Sequence, residues 1–276
     1  MSAPIVTLTT DWGTRDYFAA RVKGRLCCLI SDVRIIDLSH EQTWNDMVTL
    51  MQLIRQGCLS FPAGTIHIID AGCDPTQREL TVQEGVSRYL PQPVLVQYHG
   101  QYLISSETRP LSWALEEAPD KAVWLPLPEG SVSYTFLAYD LFCGVAAALA
   151  QGADVLSLGQ PVEMFKLLRS PMTPVDGTSI AVAVTAIDKY GNAILNVRYD
   201  DFEAARAGRR FTASIDNRTG IGVLRTVSRH YNDVRMGNLL LTVSHTGYLQ
   251  LAVNAGSAAQ LLGLRPMSLC HIAFYD

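Results

Sequence analysis

Between residues 4 and 70, short apolar β-runs alternate with segments of helical period, a pattern met by a sheet whose strands are joined through crossover helices. Pro4–Thr9 is the first β-rich run. Asp16–Leu29 follows with Phe18, Val22 and Leu26 on one helical face. Val33–Leu38 is a second strand, and Asp46–Cys58 a second helical segment, with Met47, Leu50, Met51 and Ile54 spaced i, i+3, i+4, i+7. Pro62-Ala63-Gly64 then turns the chain into Thr65–Asp70, a third strand. Phe142–Leu149 predicts an alanine-rich helix ending before Gly152. Consecutive strands separated by helices predict a largely parallel sheet.

The texture changes at Arg169–Gly177, which carries two prolines and a glycine and reads as a domain boundary. Beyond it, Ser179–Ile187, Ala193–Val197, Arg210–Ile215, Asn238–Val243 and Tyr248–Val253 are short β-runs parted by turn signals. The expected fold is therefore an α/β domain with a largely parallel sheet over residues 1–168, followed by a smaller all-β barrel over residues 177–276. Composition suits two such cores, with 48% hydrophobic and 17% charged residues.

A net charge of −4 with scattered basic residues argues against nucleic acid or an anionic membrane as partner. The start reads as a strand, not a signal peptide, and no stretch is apolar for long enough to span a bilayer, so a soluble cytoplasmic protein is expected. Cys27, Cys28, Cys58, Cys73, Cys143 and Cys270 form no C-x-x-C pair and no zinc-spaced cluster with histidine. They read as free, mostly buried thiols, and no metal is expected.

Familiar catalytic motifs are missing. There is no P-loop, no G-x-G-x-x-G after a strand, no G-x-S-x-G elbow and no H-E-x-x-H, which counts against triphosphatases, dinucleotide dehydrogenases, serine hydrolases and zincins. Carboxylates at strand ends remain. Asp11 follows the first strand in Thr9-Thr10-Asp11-Trp12-Gly13, where open α/β sheets bind ligands and where a carboxylate can accept both ribose hydroxyls. Asp16 is close behind and could equally cap the helix after it. Asp70 ends the third strand, and Asp188 sits in Asp188-Lys189-Tyr190-Gly191-Asn192; each also suits a plain turn. His40, after the second strand, could serve as a base or simply brace the fold.

In order along the chain these segments resemble the S-adenosylmethionine hydroxide adenosyltransferase family, which also contains the S-adenosylmethionine-dependent fluorinase and chlorinase. The resemblance runs through Leu8-Thr9-Thr10-Asp11-Trp12-Gly13, Asp16, Val22-Lys23-Gly24, Ile36-Asp37-Leu38-Ser39-His40 and Phe61-Pro62-Ala63-Gly64-Thr65-Ile66-His67. It continues through Ile187–Asn192 with Asn196, Tyr231-Asn232-Asp233-Val234 and Gly247–Ala259. It implies a homotrimer that binds its ligand between the first domain of one subunit and the second domain of the next. It also implies displacement at the ribose C5′ carbon, with methionine leaving as a neutral thioether. The substrate is its own activated leaving group, so no cofactor is implied, and the protein chiefly orients and desolvates. Carried over, Asp11 is similar to the ribose-binding carboxylate and Asp16 to an acid near the methionine ammonium. Asp188 is similar to a second acid at that end, Asn192 to an adenine-binding amide and Tyr231 to the aromatic stacked on adenine. Ala255 lies where backbone groups meet the adenine edge.

The departures fall on the chemical centre. The hydrolases of this family carry an Asp-Arg-His set around the nucleophilic water. The D-P-G-V-G-x-x-R stretch that supplies the first two is here Asp70-Ala71-Gly72-Cys73-Asp74-Pro75-Thr76-Gln77-Arg78, with Gln77 at the strict arginine position and Arg78 reached only through a one-residue bulge. The F-H-G-R-D segment is Phe136-Leu137-Ala138-Tyr139-Asp140, with leucine for histidine and Ala138 where the halogenases have serine. The leading expectation is an S-adenosylmethionine hydrolase giving adenosine and methionine, with Asp70 as the acid or base and Arg78 as its cationic neighbour. Asp74 and His67 are the other groups that could supply a base. The alternatives are a non-catalytic binder of adenosyl ligands, or a related enzyme using another nucleophile or nucleoside.

Overall fold

The computed structural model describes residues 3–43, 46–71, 80–83, 86–89, 92–130, 134–168, 173–174, 177–215 and 223–276. The chain divides into two compact units, Met1–Arg169 and Ser170–Asp276, each built on its own large sheet. No helix among the described residues is long and apolar enough to cross a membrane.

The first unit runs β1 (Ile5–Thr10), α1 (Phe18–Leu29), β2 (Arg34–Ser39), α2 (Met47–Gln52), β3 (Ile66–Asp70), a separate hairpin of β4 (Leu80–Gln83) and β5 (Val86–Tyr89), then β6 (Val94–Tyr98), β7 (Gln101–Ser105), α3 (Arg109–Ala114), β8 (Lys121–Trp124), α4 (Cys143–Ala150) and β9 (Gln160–Pro161). Its main sheet is ordered β2-β1-β3-β7-β6-β8-β9. Only the first four strands pair in parallel; β6, β8 and β9 each pair antiparallel with their neighbours. The sheet is thus mixed, not largely parallel. The cause is local: His99 and Gly100, at φ of 49° and 73°, form a two-residue connection between β6 and β7, and so short a link can return the chain only antiparallel.

Side-chain alternation divides this unit into two apolar layers. Val6, Leu8, Ile66 and Ile68 face Val22 and Leu26 of α1 and Phe142 and Ala146 around α4. Ile69, Val94, Val96 and Leu103 face Leu50, Met51 and Ile54 and the buried side of α3. Asp46 caps α2 by accepting from the Thr49 N–H at 3.0 Å. The helical period read through Cys58 is carried by three short pieces: α2, a π-helical turn at Leu53–Gly57 and a 3-10 turn at Cys58–Ser60. The wider turn keeps both Ile54 and Cys58 buried toward the sheet. A second π-helical turn, Ala138–Phe142, leads into α4. Of the described cysteines, Cys58, Cys143 and Cys270 are buried, whereas Cys27 and Cys28 are exposed on α1; all five are free.

The second unit continues with β10 (Thr173–Pro174), β11 (Ser179–Ile187), β12 (Ala193–Arg198), α5 (Tyr199–Arg206), β13 (Arg210–Ile215), β14 (Val223–Leu224), β15 (Val227–Ser228), β16 (Leu239–Val243), β17 (Tyr248–Val253), α6 (Ala258–Leu262) and β18 (Leu269–Tyr275). The strands follow the order β14-β13-β18-β11-β12-β17-β16-β15, with β10 beside β11. The first half of β11 pairs with β18 and its second half with β12, so one long strand turns the corner of a curled sheet. That sheet wraps a core containing Phe202, Phe211, Leu241, Leu251 and Ile272. Among the described residues the ladder stays open, ending at β14 and β15, and it carries two short helices. The second unit is a curled half-barrel, not an all-β barrel.

Candidate active site

Register lines up the carboxyl ends of the parallel strands. Thr9 pairs with Ser39, Thr10 with Asp70, and Ile69 with Ser105. His40, Asp11, Asp70 and Ser106 therefore follow or end neighbouring strands in one row, on the sheet edge where α/β folds place ligands.

Asp70 is the group most altered by this setting. Burial, and after it the charge of Asp11, raises its carboxyl from 3.8 to about 7. Hydrogen bonds from Trp12 and Ser106 pull the other way without restoring the ordinary value. A carboxyl that titrates near neutrality is suited to exchanging a proton with a reacting water. Asp11 and Asp16 are both exposed. Asp16 does not cap α1, whose cap residue is Tyr17 and makes no side-chain bond. Trp12 is held edge-on by Phe136, with ring centroids 5.2 Å apart at 74°. Neither Trp12 nor Ser106 stands out in the sequence; the register, which puts Ser106 beside Asp70, is the signal that finds the serine.

His67, a candidate base from sequence, is withdrawn into the fold. It is fully buried, with Nδ1 2.7 Å from Thr7 Oγ1 and Nε2 3.2 Å from Gln101 Oε1. The Gln101 amide N–H donates to the Phe61 carbonyl, so its oxygen faces the ring and takes the Nε2 proton. Burial lowers the imidazole from 6.5 to about 4, leaving it neutral at neutral pH. It is a cross-brace between strands. Leu137 and Ala138 are 4% and 0% exposed and pack into the α1/α4 layer. Arg78 and Asp74 lie outside the described residues.

In the second unit, Tyr190, Asn192, Tyr231, Val253, Ala255 and Gly256 line a depression of about 380 Å3. Three residues named from sequence, Asn192, Tyr231 and Ala255, thus come together. Tyr231 is 45% exposed and its hydroxyl accepts from Gln250 Nε2 at 2.9 Å, which leaves the ring face open. Ala255 takes a left-handed φ of 56°. Asp188 is turned inward: Oδ1 accepts the Tyr190 and Asn192 N–H groups at 2.9 Å, and Oδ2 accepts Asn192 Nδ2 at 2.8 Å. It fixes the turn that presents Asn192. Gly191 sits in that turn at φ 81°, with its carbonyl accepting the Ala259 N–H at 2.9 Å.

Residues 6–159 match the SAM hydroxide adenosyltransferase N-terminal domain, and residues 182–270 match the C-terminal domain of the same family. The chain belongs to the SAM hydroxide adenosyltransferase family. Its relatives in that family include the (R)-S-adenosyl-L-methionine hydrolase of Salinispora tropica, 28% identical with 95% of each chain covered. The enzyme of the same name from Thermus thermophilus is 24% identical, with 94% of this chain and 96% of the relative covered. The fluorinase of Actinopolyspora mzabensis is also 24% identical, over 96% of this chain and 95% of its own. An uncharacterized conserved protein from Thermotoga maritima shares the adenosyltransferase fold at a TM-score of 0.79 and 22% identity, covering 98% of this chain and 99% of its own.

Proposed function

We propose that this chain is an (R)-S-adenosyl-L-methionine hydrolase that forms adenosine and methionine. Four relatives bearing that name, at 24 to 28% identity over most of the chain, support the reaction. The observation that carries the mechanism is the Asp70 carboxyl poised near neutrality at the sheet edge. Water attacks C5′, the C5′–S bond breaks, and its electron pair passes to sulfur, discharging the sulfonium as neutral methionine. Asp70 takes the proton that the water loses. Arg78 is its proposed cationic neighbour, Asp11 the acceptor for the ribose hydroxyls, and Asp16 the acid toward the methionine ammonium. Asn192, Tyr231 and Ala255 would hold adenine, with Asp188 keeping Asn192 in place. The sulfonium supplies leaving-group activation, so the reaction as proposed calls on no metal.

The burial of Leu137 and Ala138 favours a second reading, a binder of adenosyl ligands with little turnover. Those side chains offer nothing to a water, and a positioned base contributes roughly a hundred- to ten-thousand-fold. Incubation of the purified protein with S-adenosylmethionine, followed by chromatography for adenosine, decides between them. Adenosine formation abolished in Asp70→Asn supports the hydrolase. Binding by calorimetry without adenosine supports the binder, and neither result removes both readings. We further propose a cytoplasmic homotrimer on the strength of the family resemblance; a monomer in sedimentation at micromolar concentration would overturn the trimer.

A further inference from the structure

The hydrolysis proposed above uses Asp70, to which Trp12 is hydrogen-bonded, but not the polar chain on the neighbouring strand end. His40 directly follows β2 and is 5% exposed. Its Nδ1 lies 2.7 Å from Thr10 Oγ1, and its Nε2 lies 3.1 Å from Asp37 Oδ1. Asp37 accepts from Lys23 Nζ at 2.6 Å. Burial alone would raise the Asp37 carboxyl, but Lys23 and His40 outweigh it and keep it below the usual carboxylate range. A carboxylate beside Nε2 favours the proton there, which leaves Nδ1 to accept from the Thr10 hydroxyl.

The same histidine touches two further residues of the loop in other ways. Its carbonyl accepts the Gly13 N–H at 2.7 Å, and the Trp12 indole lies nearly parallel to its ring, with centroids 6.1 Å apart at 18°. The Gln42 N–H reaches back to the Thr10 carbonyl at 3.2 Å. Thr10, Trp12 and Gly13 are therefore gripped from one strand end, with Asp11 lying between Thr10 and Trp12 in the chain. Gly13, at φ 68°, supplies the left-handed turn that closes the loop under His40.

We infer that His40 is a positioning residue for the Asp70 carboxyl, fixing the Thr10–Gly13 loop so that the Trp12 indole N–H reaches Asp70 and Asp11 stays beside it. The inference rests on the reading of Asp70 as the base, but it is tested without turnover. Among the described residues, the groups that face Asp70 are Asp11, Trp12 and Ser106. The Trp12 bond favours the ionised carboxyl, so release of the loop moves the Asp70 titration upward. A histidine that merely fills space lowers stability and leaves that titration where it was.

The experiment measures unfolding of the full chain from pH 5 to 9, each variant paired with its Asp70→Asn counterpart, so that the difference within a pair traces the titration of Asp70. His40→Leu and Trp12→Phe should each raise the midpoint by about one to two pH units, the worth of one hydrogen bond to a charged group. The double variant should move it no further. His40→Asn, whose amide can meet Thr10 at the Nδ1 position, should restore the original midpoint. Leu241→Ala, which weakens the separate core of the second unit, should leave it unmoved. Should His40→Leu not fold, Thr10→Val breaks the same contact with little change of shape and should shift the midpoint the same way. An unmoved midpoint in both His40→Leu and Thr10→Val, or no Asp70 titration in the parent, overturns the inference. Absence of adenosine formation by the parent overturns only the hydrolase reading, since the midpoints are still measured.

Discussion

Replacing Asp70 by asparagine separates what its carboxylate does from what it costs to hold. In the folded protein burial, and then the charge of Asp11, pushes this group from 3.8 to about 7. Between those values the folded state keeps a proton that the unfolded state has released, so stability falls as pH rises through the window. At about 1.4 kcal/mol per pH unit the whole displacement amounts to about 4 kcal/mol above pH 7. Solvent reaching the strand end reduces this to about 2 kcal/mol. Asparagine keeps the shape and an oxygen for the Trp12 N–H but carries no charge, so Asp70→Asn should be about 2 kcal/mol more stable at pH 8 and gain little at pH 4. His67 titrates in the opposite sense. Burial lowers it from 6.5 to about 4, so between those values the unfolded state holds the extra proton and stability rises with pH. In the parent the two slopes oppose each other. In Asp70→Asn the slope of His67 stands alone, and stability should climb from pH 4 to 6.5 more steeply than in the parent. Urea unfolding at pH 4, 6.5 and 8 measures both effects. Turnover of S-adenosylmethionine in the same preparations should fall by about a hundred- to ten-thousand-fold. An Asp70→Asn protein no more stable at pH 8, and as active as the parent, would refute the assignment of a strained base to this position.

Asp11→Asn removes the neighbouring charge that raises Asp70, so the acid limb of the pH–rate profile should move to lower pH. The same change should weaken adenosine binding about ten- to a hundred-fold by calorimetry, the worth of a hydrogen bond to a charged acceptor. Tyr231→Ala should weaken adenosine binding about fivefold through lost stacking. Tyr231→Phe should keep most of that affinity but lower stability by about 1 kcal/mol, because the buried Gln250 amide loses the hydroxyl it donates to. Gly191→Ala would place a methyl 1.9 Å from Ser257 Oγ at a backbone φ of 81°; thermal unfolding should show a loss of about 3 kcal/mol.

The elements that sequence revealed are those whose periodicity survives packing. Val22 and Leu26 are spaced one turn apart and face one layer, and β11, β13 and β17 keep the bounds their apolar runs suggest. The antiparallel half of the first sheet was illegible because β6 and β7 are apolar on both faces, and only His99-Gly100 marks their turn. The short helices α5 and α6 interrupt a β-rich stretch, and tertiary packing of Phe202 and Leu262 settles them more than propensity does. At the candidate site the strand-end positions of Asp11 and Asp70 could be read along the chain. The Trp12 and Ser106 bonds to Asp70 could not, because they depend on the lateral register of three strands and on where an indole is held.

The burial of Leu137 and Ala138 sets what a polar side chain in their segment would cost. The resemblance places a catalytic histidine and a halogenase serine in this segment, yet here both side chains belong to the apolar layer around α1 and α4. Placing a histidine at position 137 would leave an imidazole in that layer without a partner and remove leucine contacts, a loss of about 3 kcal/mol out of the roughly 5 to 15 kcal/mol that holds a domain together. To give that ring a partner, the neighbours packed over Leu137 would have to open, and each such opening is itself a loss of packing.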